Sequence, residues 1–153
     1  MFNWYKGIDR SKVLYAVNCG SNEPLTDDQG IVFHADKGYE GGQTTNGCGS
    51  HRWFMPNMQL YHAERWGESF TYSVPLSLKQ DGKFTLVLRF SECYFWEPGM
   101  KVFDVVIGDR TVIRDMDPFE SAGQKLLPGD EFLELEVNNG KLKIDGVPVS
   151  GAI

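Results

Sequence analysis

Apolar and polar residues alternate along several parts of the chain, and this pattern predicts strands rather than helices. The clearest case is residues 83–90, where Phe84, Leu86, Leu88 and Phe90 share one side. Because successive side chains of a strand point to opposite faces, such a segment predicts a strand with one buried face. No interior segment keeps the 3.6-residue period of an amphipathic helix.

Two dipeptides mark hairpin turns, because Asp-Gly and Asn-Gly readily adopt the positive φ angles that two-residue turns require. They are Asp81-Gly82 and Asn139-Gly140. Alternation, or a high content of β-branched and aromatic residues, predicts further strands over residues 12–18, 30–35, 69–78, 101–107, 111–115, 131–137 and 141–145.

Other segments lack a strand pattern. Gly, Thr, Asn and Gln dominate residues 36–50, which predicts a long loop, whereas residues 52–56 and 60–66 fit either a strand or one helical turn. Together the elements predict an all-β fold, an antiparallel jelly-roll β-sandwich of roughly eight to ten short strands. We expect one such domain over residues 12–153, preceded by an irregular arm of residues 1–11.

Composition narrows the possible partners. The 153 residues carry a formal net charge of −6, and the 15 Lys and Arg residues form no basic cluster, so a nucleic-acid partner is not expected. No segment approaches the ~20 apolar residues of a membrane-spanning helix, so membrane insertion is not expected. The three Cys and three His residues show no metal-ligand spacing, which predicts buried free thiols, no metal site and no cofactor.

Two features bear on location. The N-terminal residues contain no apolar signal segment, and the sequence has no Asn-x-Ser/Thr glycosylation site. Both favour a cytoplasmic or cytoskeletal location. If a signal was removed before this numbering begins, the endoplasmic reticulum lumen or the extracellular space is the alternative.

Enzymatic signatures are weak. Ser50 lies in GCGSH, which is not a nucleophile elbow. A glycosidase would need two carboxyl groups whose pKa values are separated by their surroundings, and no apolar pocket marks out such a pair. We therefore predict a protein that is not an enzyme, although five acidic residues lie in the relevant region: Glu92, Glu97, Asp104, Asp115 and Asp117.

Three consecutive aromatic residues, Tyr94, Phe95 and Trp96, follow the strand at residues 83–90. Successive side chains cannot all face a core, so at least one ring is expected at the surface. Exposed rings suit carbohydrates, because a sugar presents an apolar C–H face for stacking and hydroxyls for hydrogen bonds. The alternative is that the rings plug the end of the sandwich. Further candidates for a carbohydrate site are two rings and three hydrogen-bonding groups: Trp66, Tyr39, Glu64, Arg65 and Glu92.

The order and spacing of seven segments resemble the malectin domain, from about Lys12 to Asp145: AVNCG, GIVFHAD, LYHAERW, FTYSVP, TLVLRFSECYF, KVFDVVI and VIRDMD. The most specific part is an acidic-x-Tyr-Phe sequence followed by Lys-Val-Phe-Asp-Val. The resemblance implies a jelly-roll β-sandwich of the galactose-binding-like kind. It also implies a non-catalytic lectin that recognises the glucose disaccharide end of an oligosaccharide.

Site residues follow from the same resemblance. Tyr94 and Phe95 match the adjacent Tyr-Phe pair that stacks on the sugar, and Trp66 stands where malectin has a Tyr. Cys48 occupies the position of a further Tyr in the Gly-rich loop, for which Tyr39 or His51 is a possible replacement. Trp96 is assigned to packing within the loop, with an exposed position as the equal alternative, because aromatic rings contribute strongly to burial.

Malectin domains continue beyond the position of Ile153 with a strand pair that carries a ligand-contacting Asp. The resemblance therefore implies that this sequence is a fragment, that another chain donates the missing strands, or that a sheet keeps an open edge. The alternative function is an intracellular protein-interaction or scaffolding module of a larger assembly, such as a motor- or cytoskeleton-associated malectin domain. Its partner would be a protein in place of a glucose-containing oligosaccharide.

Overall fold

The computed structural model describes residues 8–48, 57–77 and 79–150. The chain divides into two compact units, Met1–Val74 and Pro75–Ile153. Almost all of the regular structure in the described residues is antiparallel β-strand, so the predicted all-β class is confirmed. The division into an arm of residues 1–11 and a domain of residues 12–153 stays a prediction.

The first unit contains two antiparallel strand pairs. Strands β1 (Leu25–Thr26) and β2 (Val32–Phe33) form the shorter pair, and β3 (Tyr39–Thr45) and β4 (Glu64–Tyr72) form the longer one. A 3-10 turn, Met58–Tyr61, precedes β4. Apolar side chains from the β2 region and this turn form the buried core of the unit: Ile31, Phe33, Met58, Leu60 and Tyr61.

The prediction of a loop over residues 36–50 is wrong, because β3 runs through it. Most side chains of β3 are exposed, so burial imposes no apolar alternation on its sequence. Its pairing with β4 is interrupted by a bulge at Gly42, which has φ of 71°. A Cβ atom at Gly42 would lie 3.1 Å from both Arg65 Cγ and Phe70 Cβ, which accounts for a glycine there.

The prediction of a strand over residues 12–18 is also wrong. Arg10–Lys12 forms a 3-10 turn, and after it only Val17 makes a bridge, with His34. Ala16 and Asn18 hydrogen-bond the main chain of His34 at 3.0 and 2.9 Å. The segment has strand-like composition, but no partner strand runs beside its whole length among the described residues.

The second unit contains a four-stranded antiparallel sheet in the order β10-β9-β8-β5, and a separate β6–β7 hairpin. One short helix, α1 (Pro118–Ala122), follows the hairpin. Four side chains from β8 and β9 form the buried core of the second unit: Leu135, Val137, Leu142 and Ile144. The strand bounds are β5 Gly82–Leu88, β6 Phe103–Ile107, β7 Arg110–Met116, β8 Glu131–Asn138, β9 Lys141–Ile144 and β10 Val147–Pro148.

One of the two predicted hairpin turns is confirmed. Asn139 and Gly140, with φ of 51° and 71°, join β8 to β9. The prediction of a hairpin at Asp81-Gly82 is wrong, because β5 pairs with β8 whereas β4 pairs with β3.

Of the two segments predicted as either strand or helical turn, residues 52–56 lie outside the described residues. The ambiguous residues 60–66 contain both alternatives, since they span the end of the 3-10 turn and the start of β4.

The cysteines differ from one another. Cys19 is a free thiol, as predicted, but Cys48 and Cys93 are each disulfide-bonded, so the prediction of three free thiols is wrong. Disulfide bonds are typical of proteins that fold in oxidising compartments. The location of this protein stays a prediction. As for membranes, the part of the chain that the structure describes holds no helix with the length and hydrophobicity to cross a bilayer.

Candidate functional site

The three consecutive aromatic residues lie in the connection between β5 and β6, residues 89–102, which we call the aromatic loop. The side chains of Tyr94 and Trp96 are 73% and 75% exposed, and Phe95 is half-buried. The rings of Tyr94 and Phe95 meet edge to face, with centroids 5.0 Å apart. The alternative in which these rings plug the core is therefore wrong for Tyr94 and Trp96. The assignment of Trp96 to loop packing is wrong for the same reason.

Glu92 holds the main chain beneath the first two rings. Its carboxylate is fully buried, and Oε1 accepts the N–H groups of Tyr94 and Phe95 at 2.6 and 2.9 Å. The other oxygen, Oε2, lies 3.1 Å from Lys101 Nζ. A buried carboxylate needs such partners, because an ionised group removed from water without them is costly. Glu92 was predicted to bind sugar hydroxyls, but its geometry gives it a positioning role under the rings.

Asp117 and Lys125 anchor the rest of the aromatic loop. Asp117 caps the first turn of α1 through Oδ1, and its Oδ2 accepts the Gly99 N–H at 2.5 Å. Lys125 Nζ donates to the Tyr94 carbonyl at 2.9 Å and lies 3.5 Å from the centroid of the Trp96 ring. Sequence reasoning missed both anchors. The Asp-Pro pair that begins α1 is a recognisable helix start, whereas nothing in the sequence marks Lys125.

In the first unit, Arg65 is the centre of a buried polar network on one face of the β3–β4 pair. Its guanidinium donates to Asp36 Oδ2 at 2.7 Å from Nη2, and the two side chains are only 4% and 5% exposed. Nη1 donates to the Gly41 carbonyl at 2.7 Å, and Nε lies 3.2 Å from the Tyr72 hydroxyl. Most of the hydrogen-bonding capacity of Arg65 is thus used within the protein.

Tyr39 lies against this network. The Arg65 guanidinium carbon is 3.4 Å from the centroid of the Tyr39 ring, a close cation–π contact. The Tyr39 side chain is nevertheless 49% exposed, and its ring also meets Tyr72 edge to face at 6.3 Å. The structure therefore brings two of the predicted site residues together and supports the ring of one with the charge of the other.

The Tyr72 hydroxyl completes the network by donating to Asp36 Oδ1 at 2.7 Å. Burial raises the pKa of Tyr72 above its usual value, and hydrogen bonding with Cys19 and Asp36 adds to the shift. Burial also raises the pKa of the Cys19 thiol. Both groups are therefore held in their neutral forms beside the Asp36–Arg65 ion pair.

Glu64 and Trp66 flank Arg65 on β4 and therefore lie on the opposite face of the strand. The register confirms regular pairing here, with Glu64 opposite Thr45 and Trp66 opposite Gln43. Trp66 is 43% exposed and Glu64 is half-buried. Within the first unit, the predicted residues thus divide between two faces: Tyr39 and Arg65 on one, Glu64 and Trp66 on the other.

The amino-acid sequence is similar to those of known proteins. A family model described as "Malectin domain" matches residues 13–151. The chain is 36% identical over 140 residues to Malectin-A of Xenopus laevis, 35% identical over 144 residues to Malectin of Homo sapiens, and 33% identical over 140 residues to Malectin of Danio rerio. Each alignment covers 88% of this chain and 46–49% of the relative, so the chain spans about half the length of the curated relatives it matches.

Proposed function

Because the chain belongs to the malectin domain family, we propose that it is a non-catalytic carbohydrate-binding module that holds a glucose-type oligosaccharide against its aromatic loop. The observation that carries the proposal is the Tyr94–Phe95 pair. The two residues match the pair that stacks on sugar in the resemblance to malectin, and their rings stand edge to face with Tyr94 open to solvent. The preference for glucose rests on the same resemblance.

The loop offers a preorganised surface. Glu92 bonds the two main-chain N–H groups, so the rings are held before any ligand arrives. A surface that is already ordered loses less conformational entropy on binding, which favours affinity for small ligands. Tyr94 is 73% exposed, and tyrosine combines a stacking face with a hydroxyl that can hydrogen-bond a sugar.

Four residues of the first unit are also proposed as ligand-binding residues: Tyr39, Glu64, Arg65 and Trp66. Trp66 and Tyr39 present partly exposed rings, and Glu64 is a half-buried acidic residue. Arg65 contributes chiefly by supporting the Tyr39 ring, because its side chain is almost fully buried. These assignments rest on the sequence resemblance and on the exposure of each side chain.

The acidic residues near the aromatic loop support a non-catalytic role. Glu92 and Asp117 are buried, and both accept main-chain hydrogen bonds. Asp104 accepts the main-chain N–H of Asp115 at 2.9 Å. Carboxylates used in this way hold the backbone, whereas a glycosidase needs two carboxyl groups presented to the substrate.

The alternative of an intracellular protein-interaction module, with or without strand donation from another chain, stays a prediction. No feature of residues 8–48, 57–77 or 79–150 favours it over carbohydrate binding.

Calorimetric titration with a panel of glucose disaccharides of different linkage tests the proposal, with galactose and mannose disaccharides for comparison. We expect saturable binding of a glucose disaccharide, lost in Tyr94→Ala and largely kept in Tyr94→Phe, which retains the ring. Val106→Ala is the matched control, because Val106 is an exposed apolar residue of β6 outside the aromatic loop. The proposal fails if the folded protein shows no binding of any glucose disaccharide at millimolar concentration.

A further inference from the structure

Trp96 extends the aromatic loop beyond the Tyr94–Phe95 pair. We propose that Trp96, oriented by Lys125, is a second stacking position that binds an additional sugar residue of a longer, neutral oligosaccharide. This inference rests on the proposed carbohydrate-binding function and names the length and charge of the ligand that suits the same loop.

The exposure of Trp96 is the first observation. At 75% exposed, it leaves a large apolar side chain in water, although burying such a ring normally stabilises a protein. The backbone around it is held at two points. Glu92 bonds the N–H of Phe95 directly before Trp96, and Asp117 bonds the N–H of Gly99 shortly after it. The ring is thus presented to solvent from an anchored segment of chain.

Lys125 is the second observation. Its ammonium group contacts one face of the Trp96 ring, 3.5 Å from the centroid, and donates to the Tyr94 carbonyl at 2.9 Å. A cation–π contact fixes the orientation of the ring, and it occupies only one face. Because three quarters of the side chain remain exposed, the opposite face is open to a ligand. The same ammonium group links the main chain at one ring to the side chain of the other.

Spacing and charge identify the ligand. Tyr94 and Trp96 are separated by one residue, so their main-chain positions lie no more than about 7 Å apart. One longer oligosaccharide can therefore contact both rings, with its terminal disaccharide on the Tyr94–Phe95 pair and the next sugar residue on Trp96. The charge of Lys125 is already directed at a ring and a carbonyl, Glu97 beside Trp96 is exposed, and the net charge is −6. An acidic sugar would be repelled, which favours a neutral hexose oligosaccharide.

The test compares a glucose disaccharide with the trisaccharide and tetrasaccharide of the same linkage, by calorimetry on the intact chain. We expect the longer sugars to bind the unaltered protein about 2–10-fold more tightly than the disaccharide, the range for one additional aromatic contact. Trp96→Ala should abolish that gain and leave disaccharide affinity within about twofold of the unaltered value. Trp96→Phe keeps a ring and should keep part of the gain.

Lys125 is tested as a positioning residue. Lys125→Met keeps the aliphatic stem but removes the charge. It should reduce the extra affinity for longer sugars more than it reduces the affinity for the disaccharide. Lys125→Arg should restore the gain, since a guanidinium also stacks on an aromatic ring. Val106→Ala should behave as the unaltered protein toward every sugar. Circular dichroism of each variant checks that it is folded.

The possible outcomes separate this inference from the proposed function. The second stacking position is overturned if Trp96→Ala weakens the binding of all sugars equally, or if the variant still binds the longer sugars more tightly than the disaccharide. Carbohydrate binding itself stands in either case. If the unaltered protein binds the disaccharide and the longer sugars equally, the inference is also overturned. If the unaltered protein binds no sugar of any length, both proposals fail.

Discussion

The Glu92 carboxylate holds the main chain of Tyr94 from inside the protein. Oε1 of this fully buried side chain accepts the Tyr94 N–H at 2.6 Å, while the Tyr94 ring points outward and is 73% exposed. A buried acid thus sets the position of an exposed ring two residues later. The stability of the loop and the presentation of the ring depend on the same side chain.

Replacing Glu92 should therefore affect stability and ligand binding together. In Glu92→Ala, the N–H groups of Tyr94 and Phe95 lose their acceptor, and Lys101 loses a carboxylate 3.1 Å away. We expect the free energy of unfolding to fall by about 2–4 kcal/mol, because partly buried donors are left without a bond. Urea denaturation measures this change, and sugar titration of the folded variant should show weaker binding.

Glu92→Gln is the matched control for that prediction. Glutamine keeps an oxygen that accepts the two main-chain hydrogen bonds but loses the charge opposite Lys101. It should cost less stability than alanine and retain more sugar affinity. Equal stability of Glu92→Ala and the unaltered protein would contradict the positioning role.

Local sequence signals were sufficient for the strands with one buried face. The alternation at residues 83–90 and the Asn139-Gly140 turn both correspond to observed structure, because burial and turn geometry act on nearby residues. Strand β3 could not be recognised in this way. It is mostly exposed and carries two adjacent glycines, Gly41 and Gly42, so its pairing depends on β4 rather than on its own pattern.

The candidate site residues were likewise only partly predictable from the sequence. Aromatic residues in a loop were sufficient to predict exposed rings, since loops lie at the surface. The roles of the polar residues were not predictable, because they depend on partners distant in sequence. Arg65 pairs with Asp36, which is 29 residues away, and Lys125 reaches the Tyr94 carbonyl across 31 residues. A sequence pattern gives the residue type at such positions but not the group that it contacts.

Arg65 should stabilise the folded protein as well as support the Tyr39 ring. Asp36→Ala leaves the guanidinium buried without its carboxylate, and we expect a loss of about 3–5 kcal/mol in the free energy of unfolding. Arg65→Lys should cost about 1–3 kcal/mol, because an ammonium group cannot reproduce the planar set of bonds to Asp36, Gly41 and Tyr72. Thermal and urea denaturation measure both changes.

A double-mutant cycle makes the test of this ion pair specific. In an Arg65→Met background, Asp36→Ala should cost much less than it does alone, since no buried cation is left without its partner. Additive losses would show that the two side chains stabilise the protein independently. That result would contradict a coupled network.

Alkaline pH should destabilise the protein through Tyr72. The unfolded chain loses a tyrosine proton near pH ~10, whereas burial raises the pKa of Tyr72 in the folded protein. Above that pH, the folded state binds more protons than the unfolded state, so the free energy of unfolding decreases as pH rises. The decrease should not exceed about 1.4 kcal/mol per pH unit for this group, because a single proton is involved.

Tyr72→Phe isolates this contribution. The variant loses the hydrogen bond to Asp36 and should be less stable near neutral pH, but its stability should change less steeply above about pH 10. Burial also raises the pKa of Cys19, so this thiol lowers the free energy of unfolding as pH rises above about 9. The comparison is therefore best made in a Cys19→Ala background. Identical slopes with and without the Tyr72 hydroxyl would show that another group causes the alkaline loss.

Gly20 should be the least replaceable of the glycines near the predicted site residues. It has φ of 85°, and a Cβ atom there would lie 2.3 Å from the carbonyl carbon and oxygen of Glu64, the first residue of β4. Because main-chain atoms of a paired strand cannot move aside cheaply, Gly20→Ala should cost at least about 3 kcal/mol of unfolding free energy. Gly146→Ala is the matched control: φ is 76°, but no atom lies within 4 Å, so only the conformational cost of about 1–2 kcal/mol applies. If urea denaturation gives equal losses for the two variants, close packing of Gly20 against β4 is not the reason for the glycine.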